Sequence, residues 1–113
     1  MEEYKINLKD KKCVPCEGGI LPFTEEQANE FINSVKGWKL AGKKIEKEFI
    51  FKDFLANVDF LNKAASISEA EGHHPDILIY SWNKLRITIW THSIGGLSEN
   101  DFILAAKIDE LKL

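Results

Sequence analysis

Gly72 and Pro75 bracket two adjacent histidines in the stretch EGHHPDILIYSW, and the bracket decides what can lie on each side of it. Glycine accepts the left-handed conformation that ends helices. Proline removes an N–H and disfavours helix in the residue before it. A helix must therefore stop here and an extended segment must begin. Upstream, Phe54, Val58, Leu61 and Ala65 recur at helical spacing, which predicts a helix from about residue 53 to about residue 70 with that face inward. Downstream, residues 77–82 and 85–91 alternate as two strands. Only Asn83 and Lys84 separate them, the spacing of a tight two-residue hairpin.

The rest of the chain extends this order. Thr24 with Gln27 three residues on forms a capping box, and Ala28, Phe31, Ile32 and Val35 follow at helical spacing until Gly37. Residues 38–40 and 45–51 flank the turn-like Ala41-Gly42-Lys43-Lys44, with Ile45, Lys47, Phe49 and Phe51 alternating against Glu46, Glu48 and Ile50. Ser98 to Asp101 makes a second capping box, with Leu97 and Phe102 placed as its hydrophobic staple and Ala105, Ala106 and Ile108 continuing the helix. The order is α-β-β-α-β-β-α. This predicts an α+β fold, a four-stranded antiparallel sheet with helices packed on one face. Its 113 residues suit one domain, with an irregular N-terminal arm over residues 1–22 and a core over residues 23–113. Two sheet edges, with Ile77, Ile79 and Trp90 expected on the outward face, predict a homodimer or homotetramer.

Charge and cysteine usage exclude several classes. A net charge of -3 offers no electrostatic footprint for nucleic acid or an anionic membrane. No run is long enough to span a membrane, and the N-terminus lacks the apolar core of a signal peptide, so a cytoplasmic address is expected. Cys13 and Cys16 sit in KKCVPCEGG. Such a pair can be half of a zinc site or a redox couple, but no second CxxC or HxxxH accompanies it. Glu-Gly-Gly follows where a redox pair needs a helix. The arm is expected to be structural.

The three histidines carry the chemistry. With a two-residue turn, His92 falls opposite Pro75, so His73, His74 and His92 meet at the open end of one hairpin. Alternation places Leu78, Tyr80 and Trp82 on the core face with Leu85, Ile87 and Ile89. His92, Ile77 and Trp90 take the other side, which His73 shares and from which His74 points away. Adjacent residues on an extended chain diverge, so His73 and His74 make a poor pair of metal ligands. A two-histidine, one-carboxylate iron site could recruit Glu69 or Asp101, but no spacing favours it. No metal is expected. Imidazoles near their ordinary pKa can donate and accept protons at neutral pH, and two flanking one substrate can do both in one turnover.

These residues resemble the pterin-4a-carbinolamine dehydratase, or 4a-hydroxytetrahydrobiopterin dehydratase, family. Its pattern of an acidic residue, His-His-Pro, an aromatic, a His and an Asp reads here as Glu69, His73-His74-Pro75, Trp82, His92 and Asp101. The likeness spans about residues 23–112, and KKCVPCEGG resembles the arm of bacterial members. The resemblance implies the same α-β-β-α-β-β-α fold and a dimer or tetramer. It also implies removal of water from a 4a-hydroxytetrahydropterin, without metal or cofactor, in the recycling of the pterin used by aromatic amino acid hydroxylases. His73 and His92 would be the acid–base pair and His74 a substrate-binding residue. Pro75, Glu69 and Trp90 complete the expected substrate-binding set, Glu69 by orienting His73 and Trp90 by stacking. Asp101 fits a cap of the last helix better than a part in the chemistry, and the motif alone leaves both roles open. The rival expectations are a non-catalytic binding or dimerisation partner, and a role in molybdopterin-linked pterin metabolism.

Overall fold

The computed structural model of the protein describes residues 8–14 and 21–111. Pro15, Cys16, Gly18 and Gly19, assigned above to the irregular arm, lie outside the described residues. Within the arm, Leu8–Asp10 form a 3-10 turn, and Leu8 is buried in the core.

Three helices and four strands follow in the expected order. Helix α1 spans Glu25–Phe31 and continues as a 3-10 turn over Ile32–Ser34. Thr24 caps it, accepting the Gln27 N–H while the Gln27 side chain returns to the Thr24 N–H. Strands β1 (Lys39–Ala41) and β2 (Lys44–Ile50) make a hairpin in which Ala41 pairs with Lys44. Gly42, at φ 66°, supplies the left-handed residue of the two-residue turn. Helix α2 spans Phe54–Glu71, strands β3 and β4 span Asp76–Tyr80 and Lys84–Ile89, and α3 spans Glu99–Asp109. All neighbours in the sheet are antiparallel, in the order β1-β2-β4-β3. Its inner face, with Ile45, Leu85, Ile87 and Ile89 fully buried, packs with Phe60 and Ala64 of α2 and Phe102, Leu104 and Ile108 of α3 in one core.

Two expectations are corrected. The β3–β4 connection is a three-residue loop, Ser81-Trp82-Asn83, with Tyr80 paired to Lys84. Ser81 and Trp82 adopt φ of 48° and 55°, a conformation that non-glycine residues enter only at a cost. Asn57, wholly buried on α2, holds the loop there by donating to the carbonyls of Trp82 and Lys84 at 3.1 and 3.0 Å. The changed register exchanges the faces of β3. Ile77 and Ile79 now lie opposite Ile87 and Leu85 against the core, while Leu78 points outward and Trp82 is exposed at the loop. Trp90 keeps its place on the side away from Ile89, half-buried.

The second correction concerns α2. Its buried stripe is Asn57, Phe60, Ala64 and Ser68, not the stripe through Phe54, Val58, Leu61 and Ala65. Phe54 and Ala65 are exposed, and Leu61 packs at the edge of the core. The buried stripe carries two polar residues because each finds carbonyl acceptors, Asn57 on the hairpin loop and Ser68 on Ala64 at 2.8 Å. A search for apolar periodicity passes over such a face.

Candidate functional site

The end of α2 aims the first histidine. Gly72 adopts φ 67°, its N–H reaches the Glu69 carbonyl at 3.2 Å, and the His73 N–H reaches the Ser68 carbonyl at 3.1 Å. These two bonds close a Schellman motif and turn the chain sharply at His73. The His73 ring then meets Asp101, with Nε2 2.6 Å from Oδ1. Asp101 is fully buried, and His73 is nearly so. The other carboxylate oxygen, Oδ2, accepts the Ser98 N–H at 2.8 Å and the Thr91 hydroxyl at 2.9 Å. Asp101 therefore closes the α3 capping box and anchors an imidazole at once. An ionised carboxylate can only accept, so the bonded Nε2 carries its proton and Nδ1 is the ring atom left to exchange one.

His92 is placed differently. It opens a 3-10 turn, His92–Ile94, closed by Gly95 at φ 65° and by backbone bonds between Thr91 and Gly96. Its ring lies on the indole of Trp90, centroids 4.0 Å apart, and the Lys44 ammonium sits 4.0 Å from the Trp90 ring centroid. Cation, indole and imidazole thus contact in series. His74 is exposed and its Nε2 stands 3.0 Å from Glu69 Oε1.

All three histidines line one cavity of about 520 Å³, together with Thr91, Ser93 and Asn100. Glu71, Gly72, Cys13 and Val14 complete its lining. The volume falls within the range of small-molecule sites. Glu69, Pro75 and Trp90 are not among the lining residues, and Glu69 engages His74 where the sequence suggested His73. The carboxylate that holds His73 is Asp101, read from the sequence as a cap. Its dual use follows from a fold contact between residues 28 apart, which the capping spacing alone did not reveal. Glu71, Asn100 and Val14 were missed altogether, and Cys13, weighed as a zinc or redox residue, was assigned to a structural arm and not to the cavity.

Glu71 ties that segment down. Its Oε1 accepts the Cys13 N–H at 2.8 Å and its Oε2 pairs with Lys107 at 3.1 Å. Burial pushes the Glu71 carboxyl up, but the Cys13 N–H and the Lys107 ammonium outweigh it and hold the group below its usual value. Among the described residues no group of three or more His, Cys, Asp or Glu side chains could hold a metal ion, and no helix is long and apolar enough to cross a membrane.

The sequence profile of the pterin 4 alpha carbinolamine dehydratase family matches residues 21–111. The chain belongs to that family. This dehydratase-family chain is 47% identical over 112 residues to pterin-4-alpha-carbinolamine dehydratase 2, mitochondrial, of Arabidopsis thaliana, covering 95% of its own length and 60% of the longer plant protein. It is 48% identical to a protein of Nitrosospira multiformis that bears the pterin-4-alpha-carbinolamine dehydratase name, covering 93% of this chain and 92% of that one. The crystal structure of a transcriptional coactivator/pterin dehydratase from Brucella melitensis superimposes with a TM-score of 0.73 at 32% identity, over 78% of this chain and 95% of that one. A pterin dehydratase-like protein identified as a RuBisCO assembly factor in the alpha-carboxysome superimposes with a TM-score of 0.55 at 29% identity, over 65% and 86%. The family is one of hydro-lyases, and the fold of this member is the family's fold.

Proposed function

We propose that the protein dehydrates 4a-hydroxytetrahydropterin to the quinonoid dihydropterin by histidine acid–base catalysis. The observation that carries this reading is the meeting of three imidazoles in one cavity, with His73 held by a buried carboxylate. One imidazole delivers a proton to the 4a-hydroxyl as the C4a–O bond breaks. The other takes the proton from the adjacent ring nitrogen, whose electron pair closes the C=N bond. One water leaves, and no electrons are gained or lost. His73 and His92 are the pair, one anchored by Asp101 and the other by ring contact, and His74 contributes binding. Neither a metal nor a cofactor enters the reaction. Regenerating the pterin of aromatic amino acid hydroxylases, in the cytoplasm, is the proposed setting.

The test is turnover of chemically generated 4a-hydroxytetrahydropterin by the purified protein, before and after chelation. Activity should survive chelation in full. His73→Ala and His92→Ala should each lower kcat by ~100- to 10,000-fold, while His74→Ala should chiefly raise KM. A collapse of kcat in His74→Ala with His73→Ala intact would reverse the assignment. The carboxysomal neighbour favours a second reading, a protein-binding role without turnover. Absence of turnover in the assay would select it.

A further inference from the structure

We infer that Cys13 and Val14 form a built wall of the substrate pocket, and that Asn100 is the positioning residue that seats this wall and so sets how tightly a pterin is held. Only the identity of the ligand rests on the dehydratase reading. The Asn100 carboxamide is almost wholly buried and pairs with both polar groups of one residue. Its Oδ1 accepts the Val14 N–H at 3.0 Å, and its Nδ2 donates to the Val14 carbonyl at 2.5 Å. A neighbouring β-strand would bind a backbone in the same way. Cys13 is held on both sides, its N–H by Glu71 and its thiol by the Asn100 carbonyl at 3.5 Å. Lys11 bonds Glu99 at 2.6 Å, and Leu8 is buried upstream. The segment is therefore fastened along its length to the end of α2 and the first turn of α3.

Two observations make this a matter of binding and not only of anchorage. Cys13 and Val14 line the same cavity as His73 and His92, and Val14 leaves 63% of its surface exposed, an apolar group on the rim that a flat heterocycle would cover. The segment lies outside the profile match at residues 21–111 but within the stretch aligned with the Arabidopsis and Nitrosospira relatives.

Cys13 reports whether the wall is seated. Burial, then the neighbouring Glu71 carboxylate, pushes its thiol up to about 12. Released into water it should return toward ~8.5 and react far faster with iodoacetamide. The experiment uses the full chain in a Cys16→Ser background and compares the parent with Asn100→Ala and Asn100→Asp. Alkylation of Cys13 at pH 8 is followed by mass, with and without a stable 7,8-dihydropterin, and KM and kcat are measured alongside. Both variants should alkylate at least ~100-fold faster than the parent. KM should rise about tenfold with kcat within about threefold, and the dihydropterin should protect Cys13 in the parent. Val14→Pro removes the donated N–H without touching α3 and should reproduce the pattern, which keeps the test decisive if the Asn100 variants do not fold. Faster alkylation with unchanged KM would overturn the inference, as would a Cys13 that the dihydropterin leaves unprotected. A parent that protects Cys13 but turns nothing over would leave the wall standing and sink the dehydratase reading.

Discussion

Asp101 carries two tasks on one side chain, which makes its replacement informative. Asparagine has the same shape but presents only one acceptor oxygen, so it cannot serve both His73 and the Ser98–Thr91 pair. Asp101→Asn should lower kcat about 100-fold or more and reduce stability by ~1–3 kcal/mol. Steady-state kinetics and the urea midpoint report the two effects separately, and loss of stability with kcat intact would reduce Asp101 to a cap. His92 has no such anchor. Among the described residues its ring meets the Trp90 indole and no hydrogen-bond partner. Trp90→Phe should keep the platform, whereas Trp90→Leu should lower kcat about 3- to 10-fold at nearly constant KM, the range of one aromatic contact. A raised KM with steady kcat would instead make Trp90 a substrate contact, as the sequence suggested.

At the level of elements, the β3–β4 loop is the feature that sequence reading misjudged most. Its strain is balanced by Asn57, whose removal strands two backbone carbonyls. Asn57→Ala should cost ~1–3 kcal/mol. Trp82→Gly, which relieves a positive φ at an exposed position, should stabilise by up to ~1 kcal/mol. Thermal melts showing the same sign for both would refute this account of the loop. The contrast explains what was legible. Both capping boxes and the Gly72 stop were readable because they are local, settled within one turn of chain. Loop length and the inward face of α2 were not, because both depend on Asn57, a polar residue in the core that binds carbonyls 25 and 27 positions away. The register error still left the histidines together, since the His92–Ile94 turn brings that ring to the cavity whatever faces it across the hairpin.

For the whole molecule, the register change relocates the argument for self-association. Ile77 and Ile79 turn inward, and the exposed large apolar side chains among the described residues are Val14, Leu21, Ile50, Phe54, Leu55, Leu78 and Trp82. Four of them sit on segments joined by the Phe51 N–H to the Asn83 carbonyl and by Asn57 to the Trp82 carbonyl. Such a patch is costly to leave in water. Sedimentation equilibrium at micromolar concentration should find a dimer or tetramer, and Phe54→Ser with Leu55→Glu should weaken it without lowering the fraction folded. A monomeric parent would count against this. The pairing of His73 with Asp101 and of Val14 with Asn100 also has a consequence for synthesis, in which chains emerge from the ribosome N-terminus first. A nascent chain cleared only to Leu97 displays the Cys13–Val14 segment and every histidine, yet lacks the partners that hold Val14 and His73. The two residues that do so are neighbours on the first turn of α3, and they emerge together. Until then the chain has all the reactive groups of the site, but its first histidine and its wall lack their anchors on α3.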